Sequence, residues 1–143
     1  MLKITKTVTN LKVSQKVFGA LLKTMKKSSM TKTIPQKMRN EMSENPFYKN
    51  CCYAYFTGNT DCSGKIEYHH NLIYAGQRVN EIFAILPVCQ YHHRLADTSE
   101  IRMVLDWIML NRATDLELQT YSKAENYFEK KQRLNKMFGS IVI

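Results

Sequence analysis

Between Cys52 and His93 the chain places all four of its histidines and three of its four cysteines. They crowd at the two ends of that window, Cys62-Ser-Gly-Lys-Ile-Glu-Tyr-His69-His70 and Cys89-Gln-Tyr-His92-His93. A hydrophobic core has little use for so many imidazoles and thiols, but a metal ion does. Structural zinc takes four Cys or His ligands in a tetrahedron, usually offered as two close pairs. Cys89-x-x-His92 has the spacing of one pair. The second must join Cys62 to Cys51 or Cys52; Cys52, which begins the loop nearest Cys62, is the preferred ligand. In a lysine-rich chain with no secretory signal, cysteines beside histidines favour a metal over disulfides and point to a reduced, cytoplasmic setting. The apolar runs are short and broken by Lys, so no membrane partner is expected.

Zinc at Cys52, Cys62, Cys89 and His92 leaves His69, His70 and His93 over. A His-His pair at the end of a strand, facing a histidine on the following helix, can hold a second divalent cation and activate water. Phosphodiester hydrolysis needs those two things: a base that is neutral near pH 7, and a cation to stabilise charge on phosphate and leaving oxygen.

The charge distribution fits a polyanionic substrate. Residues 1–50 carry 11 Lys/Arg against 2 acidic residues, so the whole net charge of +9 lies in the first third. A basic arm beside a neutral body binds nucleic acid through phosphate contacts that release counterions. A solubilising tail and an organellar transit peptide are the competing readings; the dominance of Lys over Arg weakens the second.

Local patterns predict an α+β chain. Ser14 can cap a helix carrying Val17, Phe18, Leu21, Leu22 and Met25 at helical spacing. Residues 28–33 read as a linker, and Pro35 suits the first turn of a helix over Gln36–Ser43 that Asn45-Pro46 ends. Phe47, Tyr48, Tyr53, Tyr55 and Phe56 read as core-lining aromatics. Lys65–His69 alternates as a short strand, Ala75-Gly76-Gln77 as a turn and Glu81–Val88 as a second strand, with a helix from Gln90 to Ala96. Ser99 can cap a helix to about Asn111, with Trp107 in the core. Thr114-Asp-Leu-Glu117 is a capping box whose helix is expected to run to Phe138 and stop at Gly139.

The pattern Cys52…Cys62…His69-His70…Cys89-x-x-His92-His93 resembles that of the HNH endonucleases. Tyr68-His-His-Asn-Leu-Ile-Tyr-Ala-Gly76, Asn80-Glu-Ile-Phe-Ala-Ile-Leu-Pro-Val-Cys89, Asn111-Arg-Ala-Thr-Asp-Leu-Glu-Leu118 and Arg133-Leu-Asn-Lys-Met-Phe-Gly139 look like a phage and prophage branch of that family. The resemblance covers roughly residues 40–139. It implies a ββα-metal core over residues 46–98, a C-terminal helical extension over 99–143 and a basic arm over 1–45. It also implies a phage-encoded enzyme that nicks or cuts DNA in recombination or processing. By the same resemblance, His70 is the general base, His69 and His93 hold the catalytic cation, and Cys52, Cys62, Cys89 and His92 form a zinc knuckle. The family's middle asparagine commonly lies about five residues before the Cys89 position. This chain has Ala84 there, with Asn80 the nearest candidate to orient the base. His69 stands where a carboxylate is frequent, which favours Mn²⁺, Co²⁺ or Ni²⁺ over Mg²⁺. One such site cuts one strand at a time, so double-strand cleavage would need a homodimer or two sequential nicks. The alternatives are a zinc-knuckle nucleic-acid-binding module without catalysis and a packaging accessory that nicks only within a larger assembly.

Overall fold

The computed structural model describes residues 33–141. The helix expected from Ser14 and most of the linker before Thr33 lie outside the described residues. What is described is α+β: helices surround two small antiparallel sheets. Strand β1 (Ile66–His70) pairs with β4 (Ile85–Cys89) in a register that sets Ile66 opposite Cys89, His69 opposite Leu86 and His70 opposite Ile85. All five residues of β4 are buried, as expected of a short continuous apolar run. Pro87 has no N–H to donate, and a sheet of only two strands tolerates it. Between these strands, β2 (Ile73–Tyr74) and β3 (Gln77–Arg78) form a tight hairpin. Its turn residues, Ala75 at φ 51° and Gly76 at φ 77°, both lie in the left-handed region, as a two-residue turn that matches strand twist requires. The expected strand over 81–88 is thus split, with a 3₁₀ turn over Ile82–Ala84 before β4 begins.

Helix α1 (Gln36–Glu44) has the predicted bounds to within a residue. It packs on the body: Ile34 and Met42 share a buried cluster with Tyr48 and Ile85. Helix α2 (Cys52–Thr57) stops at Gly58, which takes φ 72°, and α3 (Gln90–Arg94) follows β4 without a linker. Tyr48 is the most buried of the aromatic run, whereas Tyr55 is 76% exposed and no part of the core. Arg112 anchors this region. It donates to the carbonyls of Ile82 and Ile85, each at 3.2 Å, and to Tyr48 Oη at 2.9 Å, and it lies 4.0 Å over the Phe47 ring.

Helix α4 (Ser99–Arg112) is the hub, with Ile101, Val104, Leu105, Trp107, Ile108, Met109 and Leu110 all buried. Its N-cap position is Thr98, one residue before the expected Ser99. The capping box at Thr114 and Glu117 forms as read, but the helix it opens is much shorter than expected. Helix α5 (Asp115–Tyr121) ends, and α6 (Tyr127–Phe138) starts afresh with Asn126 accepting from the amides of Phe128 and Glu129. Ser122 holds the corner, donating to the Leu118 carbonyl at 2.6 Å and accepting from the Tyr127 amide at 3.0 Å. A straight helix over 114–138 would be roughly 35 Å long and would carry Leu134 away from α4. The break folds it back, burying Leu134 and letting Trp107 Nε1 donate to Asn135 Oδ1 and the Gly139 carbonyl.

The α4–α6 seam also contains a buried polar chain. Lys130 Nζ lies 2.9 Å from Asp106 Oδ2, and Asp106 Oδ1 accepts from Asn71 Nδ2 at 2.9 Å. Burial opposes the charge on Lys130, but the hydrogen bond and attraction of Asp106 outweigh it and raise the lysine's pKa. Removing one member of such a pair strands the other charge. Asp106→Ala is therefore expected to destabilise the fold by about 2–4 kcal/mol, read as a lower urea midpoint at unchanged slope. A midpoint equal to wild type would show that the pair contributes nothing.

Candidate metal centre and histidine cleft

Four chain segments converge on one point. Cys51 precedes α2, Cys62 lies in the loop before β1, Cys89 ends β4 and His92 sits on α3. One donor atom from each lies within 4.8 Å of all the others. His92 Nδ1 is 3.1 Å from Cys89 Sγ, 3.5 Å from Cys51 Sγ and 3.6 Å from Cys62 Sγ. A tetrahedral zinc with ordinary Zn–S and Zn–N bonds would set each sulfur about 3.5 Å from the nitrogen, so the donor set fits. These four residues could hold a metal such as zinc. Among the described residues no other group of metal-ligating side chains is drawn together so tightly.

Local structure explains how each donor arrives. Cys89 caps α3, its Sγ accepting from the His92 amide at 3.4 Å, so one helical turn brings this pair together. The loop carrying Cys62 lies along α3 through Tyr91 N to Ser63 O at 3.2 Å and Gln90 N to Lys65 O at 3.1 Å. That approach needs Gly64: a Cβ there would come within 2.7 Å of Gln90 Cβ, and its φ of 80° is itself left-handed. Burial and the neighbouring thiols of Cys89 and Cys51 push the Cys62 thiol up to about 12. At Cys89 burial acts in the same sense, but hydrogen bonds from the His92 and Ser63 backbone and from the other thiols outweigh it, and its pKa falls.

The expected ligand Cys52 is not in this group. Cys51, in extended backbone just before α2, takes its place, while Cys52 begins the helix and turns into the core at 2% exposure. Burial drives the Cys52 thiol pKa far upward, against ionisation. Adjacent side chains point in different directions, and only the packing of α2 decides which one faces Cys62.

The remaining histidines, His69, His70 and His93, lie outside the Cys₃His group. His69 and His93 lie edge to face, with ring centroids 5.1 Å apart. His69 is held well below the ordinary histidine range, at about 4, first by burial and then by the neighbouring His93. His93 Nδ1 donates to Glu67 Oε1 at 3.3 Å, which leaves Nε2 as its lone-pair nitrogen. Strand alternation, visible in the sequence, puts Glu67 on the same face as His69. Glu67, His69 and His93 are neighbours, but they do not converge as the Cys₃His set does.

His70 faces a different partner. Its Nε2 lies 2.7 Å from Asn80 Oδ1, and Asn80 Nδ2 donates to the Thr33 carbonyl at 2.9 Å. Because a carbonyl can only accept, the Thr33 contact fixes the Asn80 amide with its oxygen toward His70. His70 Nε2 must then carry the proton, leaving Nδ1 basic. Burial lowers the His70 pKa, with the Asn80 bond opposing and Arg78 and Arg39 adding to the decrease. A hydrogen bond with Asn71 opposes the lowering at His69, and Asn71 Nδ2 is held by Asp106. His70 and His93 open on a cleft of about 440 Å³ shared with Arg39, Lys65, Tyr68 and Arg78. Nothing in the sequence foretold that Thr33, Arg39 or Arg78 would join this group.

Compared with protein-family models, curated proteins and solved structures, the chain matches none. No described helix is long and apolar enough to cross a membrane.

The ligand set leads to a direct test. Cys51→Ser is expected to lose most bound zinc, whereas Cys52→Ala keeps one zinc per chain, as read by elemental analysis of purified protein. Loss of zinc from Cys52→Ala with retention in Cys51→Ser would reverse the assignment.

Proposed function

We propose that this chain is a metal-dependent endonuclease of the HNH type that hydrolyses phosphodiester bonds in DNA. The observation that carries the reading is the Thr33–Asn80–His70 chain, which presents at a cleft an imidazole held with its proton on Nε2. His70 Nδ1 takes the proton of the attacking water, and Asn80 holds the ring in the tautomer that makes this possible. His69 and His93 would hold the divalent cation, with Glu67 fixing His93 so that Nε2 faces it. When bound, that cation supplies charge stabilisation at the phosphate and the leaving oxygen. β1, β4 and α3 then constitute the ββα core, and the Cys51–Cys62–Cys89–His92 centre, filled by zinc, staples the strands to the helix. The basic N-terminal third supplies affinity for the DNA backbone. A cytoplasmic, phage-encoded role in DNA recombination or processing accords with this reading.

The second reading is a zinc-dependent nucleic-acid-binding module without catalysis. It is favoured by the looser arrangement of His69, His93 and Glu67 beside the tight Cys₃His group.

Cleavage of supercoiled plasmid separates the two. Nicked product is expected with Mn²⁺, Co²⁺ or Ni²⁺ and less with Mg²⁺, because imidazole at His69 replaces a harder carboxylate. His70→Ala should lower the rate ~10²–10⁴-fold while leaving DNA retardation intact. Strict Mg²⁺ dependence would sink the metal preference, and unchanged cleavage by His70→Ala would remove it as the base. Retarded but uncut plasmid in every metal favours the binding module.

A further inference from the structure

We propose that Arg39 and Arg78 form a clamp for backbone phosphate oxygens beside His70, making α1 part of the substrate site rather than a general basic arm. This rests on the reading that the cleft takes nucleic acid. The two arginines come from separate elements, α1 and β3, and open on the same cleft as His70. Both are near enough for their charge to act on the His70 ring.

Their hydrogen-bonding groups are largely uncommitted. Arg39 uses only Nε, donating to the Ile34 carbonyl at 3.3 Å. That bond fixes the guanidinium while leaving its two terminal amino groups for a ligand. The Arg78 side chain has no hydrogen bond or ion pair among the described residues. By contrast, Arg102 and Arg133 face carboxylates and Arg112 is consumed by carbonyls. The one carboxylate lining the cleft, Glu67, is engaged by His93. Lys65 adds a third cation, so three cations line the cleft against the single carboxylate of Glu67, and the balance is positive. A concave surface of one sign concentrates anions, and the flat arginine fork matches two phosphate oxygens in a way that lysine's point charge does not.

The segment that carries α1 serves His70 a second way. The Thr33 carbonyl sets Asn80, and Arg39 follows six residues later. Substrate held by Arg39 thus sits in register with the base because both depend on the packing of Ile34 and Met42 against Ile85.

The test separates binding from cutting. In a His70→Ala background, with zinc and Mn²⁺ present, affinity for a short labelled DNA duplex is measured across salt concentrations. Arg39→Ala and Arg78→Ala are each expected to reduce the slope of log affinity against log salt by about 0.9, and the double variant by about twice that. Arg78→Ala removes no hydrogen bond or ion pair among the described residues, so its melting temperature should equal that of its parent. With His70 restored, Arg39→Lys and Arg78→Lys together should keep most of the salt slope yet cut saturating DNA ~10-fold more slowly or worse.

An unchanged slope in the double alanine variant overturns the clamp, whatever the protein cuts. Wild-type cleavage rate in the double lysine variant overturns it in favour of plain charge. A reduced slope in a protein whose wild type cuts no DNA retains the phosphate site and removes the nuclease reading.

Discussion

The convergence of Cys51, Cys62, Cys89 and His92 is the constraint on which the rest of the molecule depends. It ties the start of α2, the loop before β1, the end of β4 and the first turn of α3 to one point. Those are the segments that carry or border the histidine pair. A sheet of two strands is marginal on its own, and at Cys62 burial and the neighbouring thiols oppose ionisation. A metal would remove that penalty and fix β1 against α3 together, coupling the fold to the geometry of His69 and His93.

Around this centre, the two adjacent histidines are separated by strand alternation. His69 points toward α3, into burial, where it meets His93 and Asn71. His70 points toward Asn80 and the N-terminal segment. Beside each stands an asparagine whose own amide is anchored elsewhere, Asn71 by Asp106 and Asn80 by the Thr33 carbonyl. Through Asp106 and Lys130 the C-terminal helices reach one histidine, and through Thr33 the N-terminal segment reaches the other. The helices outside the small sheet thus do more than bury apolar surface. At His70 the Thr33 carbonyl, through Asn80, decides which ring nitrogen carries the proton.

Much of this was legible locally. The Cys89-x-x-His92 pair, the helix over 36–44, the β1 strand, the Ala75-Gly76 turn and the Thr114–Glu117 capping box are set by interactions spanning a few residues, and the structure has each of them. The misreadings arose where distant parts compete. A helix continuous from 114 to 138 satisfies periodicity, but burial of Leu134 and the bonds to Trp107 and Asp106 reward the bend at Ser122–Asn126 instead. Tyr55 belongs to an aromatic run, yet it falls on the outer face of α2.

The site divides in the same way. By itself, the sequence determined which residue types could gather, because so many thiols and imidazoles in one window admit few roles beyond metal binding. Only the tertiary structure decided between Cys51 and Cys52, brought Asn80 to His70 and placed Arg39 and Arg78 beside them. Those choices turn on the direction of single side chains and on contacts across 10 to 47 residues. Chain spacing carries no information at that range; packing against a common core supplies it.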